Sequence, residues 1–237
     1  MKNGVQLQRE YYTRTASNYE SMHANGAGEH DLACALIHSL ASYHGLTSVL
    51  DVGSGTGRAV ARLSRSLPHA RIIGIEPVEA LRMIGHSNGI SKDKLIDGDA
   101  TKLAFADGAF DLVCELGILH HIPTPRKAVD EMIRVASKAI FVSDGNRFGQ
   151  GSTTERFVKL LLWRLGLWPA ANWIKTRGKG FYYSEGDGIA YSYSVFDDYD
   201  VICRHFEHVM VFNLSGDGKS SLTGSPSIGL FASNKNL

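Results

Sequence analysis

The run Val49-Leu50-Asp51-Val52 leads directly into Gly53-Ser54-Gly55-Thr56-Gly57, and few folds accommodate such a junction. The run suits a buried strand and is too short for a helix, and Val60, Leu63 and Leu67 then recur at helical spacing. A glycine turn between strand and helix lets a ligand approach the backbone and meet the free N–H groups at the positive helix end. The junction therefore predicts an open α/β sheet with a ligand-binding turn at the carboxyl edge of its strands. The dinucleotide pattern G-x-G-x-x-G needs a third small residue, which falls on Arg58 counting from Gly53 or on Val60 counting from Gly55. Neither is small, so the spacing argues against a nicotinamide-dependent oxidoreductase.

The alternation continues downstream. Short, mostly β-branched or aromatic runs at Ser48–Val52, Arg71–Ile75, Lys94–Ile96, Phe110–Cys114 and Ala139–Val142 read as parallel strands. Helical stripes lie between them: Val78, Leu81 and Ile84 after the second strand, and Val129, Met132, Ile133 and Ala136 after an expected N-cap at Thr124 and Pro125. Ahead of the sheet, Leu32–Tyr43 and the tyrosine-bearing stretch Tyr11–His23 are expected lid helices. Behind it, Gly145–Gly151 reads as a loop and Glu155–Trp168 as a very apolar helix stopped by Pro169. His208–Leu214 and Ser227–Ser233, joined through Ser215-Gly216-Asp217-Gly218, read as an antiparallel pair closing the sheet.

Composition narrows the partners. The 237 residues hold 25 Lys plus Arg against 24 Asp plus Glu, so no global field draws nucleic acid or an acidic surface. Cys34, Cys114 and Cys203 lie far apart, which suggests neither a disulfide framework nor a metal site and fits a reducing compartment. The opening Met1-Lys2-Asn3-Gly4-Val5-Gln6 lacks the apolar core of a secretory signal, and no apolar run reaches membrane-spanning length, so the expected location is cytoplasmic.

With Asp51 inside the strand end, the G-x-G-x-G turn resembles that of class I S-adenosylmethionine-dependent methyltransferases. S-adenosylmethionine carries a carboxylate suited to the positive helix end and an ammonium suited to Asp51. Gly53, Ser54, Gly55 and Gly57 would form the cofactor turn. Glu76, next to Pro77, ends the second strand about twenty residues on, where an acid accepts both ribose hydroxyls. By the resemblance, Asp99, with Ala100, would meet the adenine amino group. The segment Phe110-Asp111-Leu112-Val113-Cys114-Glu115-Leu116-Gly117-Ile118-Leu119-His120-His121-Ile122 is similar to the family's fourth strand and loop. Backbone groups near Glu115 and Leu116 would there hold the methionyl end. Tyr11-Tyr12-Thr13-Arg14-Thr15-Ala16-Ser17-Asn18-Tyr19 is similar to the opening of a small-molecule subgroup that includes ubiquinone and menaquinone biosynthesis enzymes. By that likeness Tyr12, Arg14 and Tyr19 would close over the cofactor.

The expected architecture is one Rossmann-like, doubly wound α/β domain, mostly parallel with an antiparallel C-terminal strand pair. It divides into N-terminal lid helices (1–45), a cofactor-binding core (46–144), a substrate cap insertion (145–205) and the strand pair (206–237). The sulfonium methyl is already activated, so the protein has to align an acceptor and, where needed, take its proton. His120, His121 and Asp144 are the catalytic candidates on the cofactor side. Aromatic residues from Phe181 to Tyr199, interleaved with Glu185, Asp187 and Asp197, suit a small-molecule, glycan or lipid-linked acceptor. Ordinary packing would bury Glu155–Trp168 beneath the cap; its Arg156, Lys159 and Arg164 leave peripheral membrane contact as the alternative. A non-catalytic S-adenosylmethionine-binding protein would share every pocket motif. Nucleic-acid methylation has no support from a basic surplus or from an Asn/Asp-Pro-Pro-Tyr motif.

Overall fold

The computed structural model describes residues 4–23, 27–215 and 220–235. The expectations for Met1 to Asn3 and for Gly216 to Gly218 lie outside them. Five parallel strands, β1 (Ser48–Val52), β2 (Arg71–Ile75), β3 (Leu95–Ile96), β4 (Phe110–Leu116) and β5 (Ala136–Gly145), make most of one sheet. A β-hairpin, β6 (Phe181–Ser184) and β7 (Gly188–Tyr191), stands apart from it. The last two strands, β8 (His208–Asn213) and β9 (Ser227–Ser233), pair antiparallel with each other, and β9 also pairs antiparallel with β5. The resulting order is β3-β2-β1-β4-β5-β9-β8.

The order reverses direction at β1 and β4, which opens a crevice above their carboxyl ends, the place where open α/β sheets bind ligands. Alternate residues along each strand feed two cores. Leu50, Val52, Val113, Ile140 and Val142 pack with Ala128, Val129 and Met132 of α6 (Pro125–Val135) and with Ile202 of α9 (Tyr199–His205). Val49, Leu112, Cys114 and Phe141 face the other way, onto Ile37 and Ala41 of α3 (Ala27–Tyr43) and Val60 and Leu63 of α4 (Arg58–Ser66). The period-two alternation of a sheet covered on both faces thus sets which helix lies on which side.

Several boundaries differ from the sequence reading for physical reasons. β4 runs on to Leu116 because Glu115 and Leu116 still pair with Val142 and Ser143. β5 extends to Gly145 because β9 pairs with it along Ala139 to Gly145. The expected loop Gly145–Gly151 instead contains the strand end and a short 3-10 turn, Arg147–Gly149. The Tyr11–His23 stretch belongs to α1 (Gly4–Thr15), a 3-10 turn at Ala16–Asn18 and α2 (Tyr19–His23). Thr124 does precede α6, and Pro125 opens it, but the Thr124 side chain makes no capping hydrogen bond.

The apolar segment after β5 departs furthest. It forms α7 (Thr153–Arg164), capped by a reciprocal Ser152–Glu155 box, and Pro169 sits in the first turn of a new helix, α8 (Trp168–Lys175), where its missing N–H costs nothing. The expected burial is overturned, since α7 and α8 contain no buried residue. They rest on the turn Arg147–Gly149, with the Trp163 ring edge-on to Phe148 at 5.2 Å, and α8 also meets Ser192 and Tyr182 through Trp168 and Asn172. No helix among the described residues is long and apolar enough to cross a membrane.

Candidate active site

The glycine turn is built as the sequence demands. Gly53, Gly55 and Gly57 have φ of 76°, 56° and 80°, the left-handed region that glycine enters without a Cβ penalty. A Cβ on Gly53 would strike Ile118 and one on Gly55 would strike the Tyr19 hydroxyl, so both the loop after β4 and the N-terminal segment close onto the turn.

Two buried acids flank it. Glu76 accepts the Gly55 N–H at 3.0 Å on one carboxylate oxygen and the Val78 N–H at 2.8 Å on the other. A carboxylate offers about four lone-pair sites, so each oxygen keeps acceptor capacity. Burial pushes the Glu76 carboxyl up to about 7. Asp51 is 2% exposed; Cys114 Sγ, a weak thiol donor, lies 3.9 Å from its Oδ1, and among the described residues its Oδ2 has no hydrogen-bond partner. Burial pushes its carboxyl up to about 6. A buried acceptor left unpaired is costly unless something outside the chain satisfies it.

The loop after β4 forms a 3-10 turn, Leu119–His121, fastened by a third buried acid. Glu115 accepts the Gly117 and Ile118 N–H groups, both at 3.0 Å, and the Ser143 N–H at 2.8 Å. Burial and the neighbouring Asp144 charge hold its carboxyl well above the usual range. Asp144, at the end of β5, accepts the His120 backbone N–H at 3.1 Å and faces His120 Nδ1 at 2.8 Å. On the other side of the ring, His120 Nε2 lies 3.2 Å from Asp187 Oδ2. Burial opposes a charge on His120, but Asp144 and Asp187 outweigh it and raise the imidazole well above its ordinary value.

His121 is held differently. Its Nδ1 lies 2.6 Å from the Ile189 carbonyl and 3.1 Å from the Gln8 amide nitrogen. Its Nε2 lies 2.9 Å from the Tyr12 hydroxyl and 3.3 Å from Asp187 Oδ1. One ligand atom from each of His120, His121 and Asp187 falls within 4.8 Å of the others, near enough for a divalent cation, with His120 Nε2 also 3.2 Å from Asp187 and His121 Nε2 2.9 Å from the Tyr12 hydroxyl.

A cavity of about 740 Å³ joins these parts. Gly53, Glu76 and Leu116 line one end, His120, His121 and Asp144 the middle, and Arg147, Lys159, Trp168, Lys175 and Tyr182 the other. A second cavity of about 230 Å³, sharing Tyr12, Gly53, Glu76 and His121, is lined by Pro77, Asp99 and Ala100. Most of the expected residues thus converge, and the exceptions are specific. Arg14 is exposed and reaches Tyr183 at 3.5 Å, lining neither cavity. Asp99 is engaged by Thr101 and by Arg9 at 3.2 Å. Ser54 turns its hydroxyl to the Asp51 carbonyl, and Gly57 backs onto Ile90, so both shape the turn from behind.

Sequence reasoning gave Gln8 no role and placed Asp187 only among the carboxylates of the acceptor side. Gln8 Oε1 accepts the Ile189 N–H at 2.5 Å and its amide donates to the Asp187 carbonyl at 3.0 Å, so α1 is clamped to the β6–β7 turn across the histidines. Arg147 is buried, paired with Asp197, and stacked between Phe148 and Trp168, with Nε unpartnered. Only the carboxylates interleaved with tyrosines after Phe181 hinted at Asp187; nothing local marked Gln8 or Arg147.

The fold and the placement of acids at β1, β2, β4 and β5 define an α/β Rossmann-like domain with a ligand site at its switch point. Residues 50–140 match the family described as "Methyltransferase domain". Over 89 residues the chain is 33% identical to a demethylmenaquinone methyltransferase of Clavibacter sepedonicus, covering 37% of this chain and 36% of that protein. Over 103 residues it is 32% identical to a ubiquinone biosynthesis O-methyltransferase of Xylella fastidiosa, covering 42% of each. The match thus spans well under half of these curated relatives. A solved structure of an S-adenosylmethionine-dependent methyltransferase of Thermotoga maritima, a possible histamine N-methyltransferase, superposes with a TM-score of 0.55 at 18% identity, covering 95% of this chain and 99% of that one. The magnesium protoporphyrin IX methyltransferase of Synechocystis with bound S-adenosylhomocysteine gives 0.60 at 15% identity, covering 98% and 100%. These superpositions show the fold, and residues 50–140 are what is similar to the methyltransferase-domain family.

Glu76 makes the site's electrostatics measurable. An acid raised from 4.5 to about 7 binds more protons in the folded than in the unfolded chain across that window, so it makes stability fall as pH rises through it. Urea unfolding of the unliganded chain at a series of pH values should show that loss, and Glu76→Gln should make it smaller by about 1 to 3 kcal/mol. An identical pH slope in both proteins would refute the buried, raised carboxyl.

Proposed function

We propose that the chain is an S-adenosylmethionine-dependent methyltransferase acting on a small-molecule, glycan or lipid-linked acceptor. The observation that carries this reading is Asp51 Oδ2, a buried carboxylate oxygen beside the glycine turn without a partner among the described residues. An ammonium is the group such an oxygen would receive, and the methionyl end of the cofactor bears one. Free N–H groups at the start of α4 would meet the cofactor carboxylate, Glu76 its ribose hydroxyls, and Pro77, Asp99 and Ala100 its adenine. Leu116 and the backbone around Glu115 would border the methionyl chain, with Tyr12 and Tyr19 closing over it. Free Cys34, Cys114 and Cys203 fit a reducing compartment, which supports a cytoplasmic location.

When bound, the cofactor supplies an electrophilic methyl whose bonding pair stays on sulfur as the acceptor takes the carbon. The chain's own part is to position the acceptor and receive its proton. His120 can receive it at Nε2, while Asp144 holds Nδ1–H and fixes the ring, the orientation a general base needs. In the resting arrangement a proton sits on Nε2 against Asp187. An acceptor entering between them separates His120 from one of the two carboxylates that hold its charge. That lowers its proton affinity where the base is required. His121, bonded on both nitrogens, is a positioning residue that ties Tyr12 of the lid to the hairpin. The far wall, with Arg147, Lys159 and Lys175 among Trp168 and Tyr182, suits a planar acceptor bearing negative charge.

Incubating cell extracts with methyl-labelled S-adenosylmethionine and the protein, followed by mass spectrometry, should show label in a small molecule or lipid. Cofactor binding without transfer would favour the non-catalytic alternative. Proton-exchange NMR of the His120 ring should give a pKa above the ordinary histidine range, and Asp187→Asn should lower it. The charged ring contributes stability that is full below the ordinary value and is lost as pH rises through the raised one. An unchanged titration in Asp187→Asn would contradict the shared proton.

A further inference from the structure

We propose that α7 and α8 form a docking face for anionic lipid bilayers. The inference rests on surface chemistry and stands whether or not methyl is transferred.

Exposed apolar side chains are not scattered over this molecule. Among the described residues fourteen large apolar side chains are exposed, and eight of them fall between Phe157 and Ile174. Ile174 is 70% exposed, Phe157 66% and Trp173 63%. Single exposed apolar residues are ordinary, whereas a contiguous cluster marks an interaction surface.

Charge selects the occupant. The stretch from Thr153 to Lys179 contains Arg156, Lys159, Arg164, Lys175, Arg177 and Lys179 against the single acid Glu155, in a chain whose formal net charge is +1. Glu155 is engaged in capping α7 through Ser152. Leu, Phe and Trp on helices edged by Lys and Arg are the chemistry of segments that lie in the headgroup plane, where each cation near an anionic surface adds about 1 kcal/mol. A second copy of the chain is a poor occupant, because a two-fold contact would set this cationic stretch against itself. The two helices can bed into lipid without disturbing the core, since they hold to the body by few bonds, among them Trp168 Nε1 to Ser192 Oγ at 3.1 Å and the Tyr182 hydroxyl to Asn172 Oδ1 at 2.9 Å.

The face also borders the site. Lys159, Trp168 and Lys175 belong to these helices and line the far end of the large cavity, so a molecule leaving the headgroup layer would meet the cavity wall directly.

Cosedimentation of the full chain with vesicles tests the proposal. Vesicles of phosphatidylcholine with about a third phosphatidylglycerol should bind the chain at low salt, and pure phosphatidylcholine should bind it at least tenfold more weakly. Raising salt should weaken the anionic-vesicle binding, as charge screening requires. Arg177→Glu with Lys179→Glu should cut binding at least tenfold, and Phe157→Ser with Ile174→Ser should do likewise, while thermal unfolding stays near that of the parent because these side chains are exposed. Failure of the folded chain to bind anionic vesicles, or binding unaffected by either double variant, would overturn the proposal. Concentration-dependent dimerisation lost in Phe157→Ser with Ile174→Ser, without vesicle binding, would overturn it in favour of a second copy.

Discussion

Buried acids at the carboxyl ends of parallel strands hold this site together. Glu115 gathers two backbone N–H groups from the loop after β4 and that of Ser143 in β5, Glu76 gathers those of Gly55 and Val78, and Asp144 takes one from His120. Each strand end faces the same difficulty, since a loop leaving a covered sheet carries N–H groups that no neighbouring strand can satisfy. A carboxylate placed there satisfies several at once, and the amides in turn offset part of the cost of burying its charge. Without Glu115 the His120 loop would lose its register against β5, and the His120–Asp144 pair would lose its geometry. Asp51 breaks the pattern, because it sits at the end of the central strand with an oxygen that no amide reaches. The contrast is what turns a structural habit of the fold into a specific statement about a bound cation.

The sheet was legible because its signals are local. Short apolar runs, closely spaced glycines and a proline at the start of α6 each act within a few residues, and β1 and β2 fall where those signals put them. Asp51, Glu76, His120 and Asp144 were legible for the same reason, being strand-end or loop residues at readable spacing. Gln8 was not, because its partners at Asp187 and Ile189 lie at the far end of the chain, and a polar residue in a weakly amphipathic N-terminal helix carries no mark of a distant clamp. Arg14 shows the converse: a family-like segment placed it over the cofactor, yet its helix turns it outward to Tyr183.

The helix pair after β5 was misread by an ordinary rule. A segment rich in Leu, Phe and Trp is normally buried, but burial needs a covering layer, and among the described residues this pair meets the turn Arg147–Gly149 and a few side chains such as Ser192 and Tyr182 while eight large apolar side chains stay exposed. The cap instead spends its hairpin on the N-terminal helix, where Tyr11 donates to the Glu185 carbonyl at 2.5 Å and Gly188 admits Gln8 and Tyr11 close to the backbone. The hairpin therefore closes the site, and the apolar helices are left facing outward at its far end.

In the proposed site Asp51 and Glu76 are raised acids that would become ionised on receiving the cofactor's ammonium and ribose hydroxyls. Titration calorimetry with S-adenosylhomocysteine at about pH 6.5, repeated in buffers of different ionisation heat, measures that directly through proton release. Binding should release protons, so the observed heat should change with the buffer. Binding with a heat independent of buffer, or no binding at all, would contradict the assignment of these carboxylates to the methyl donor.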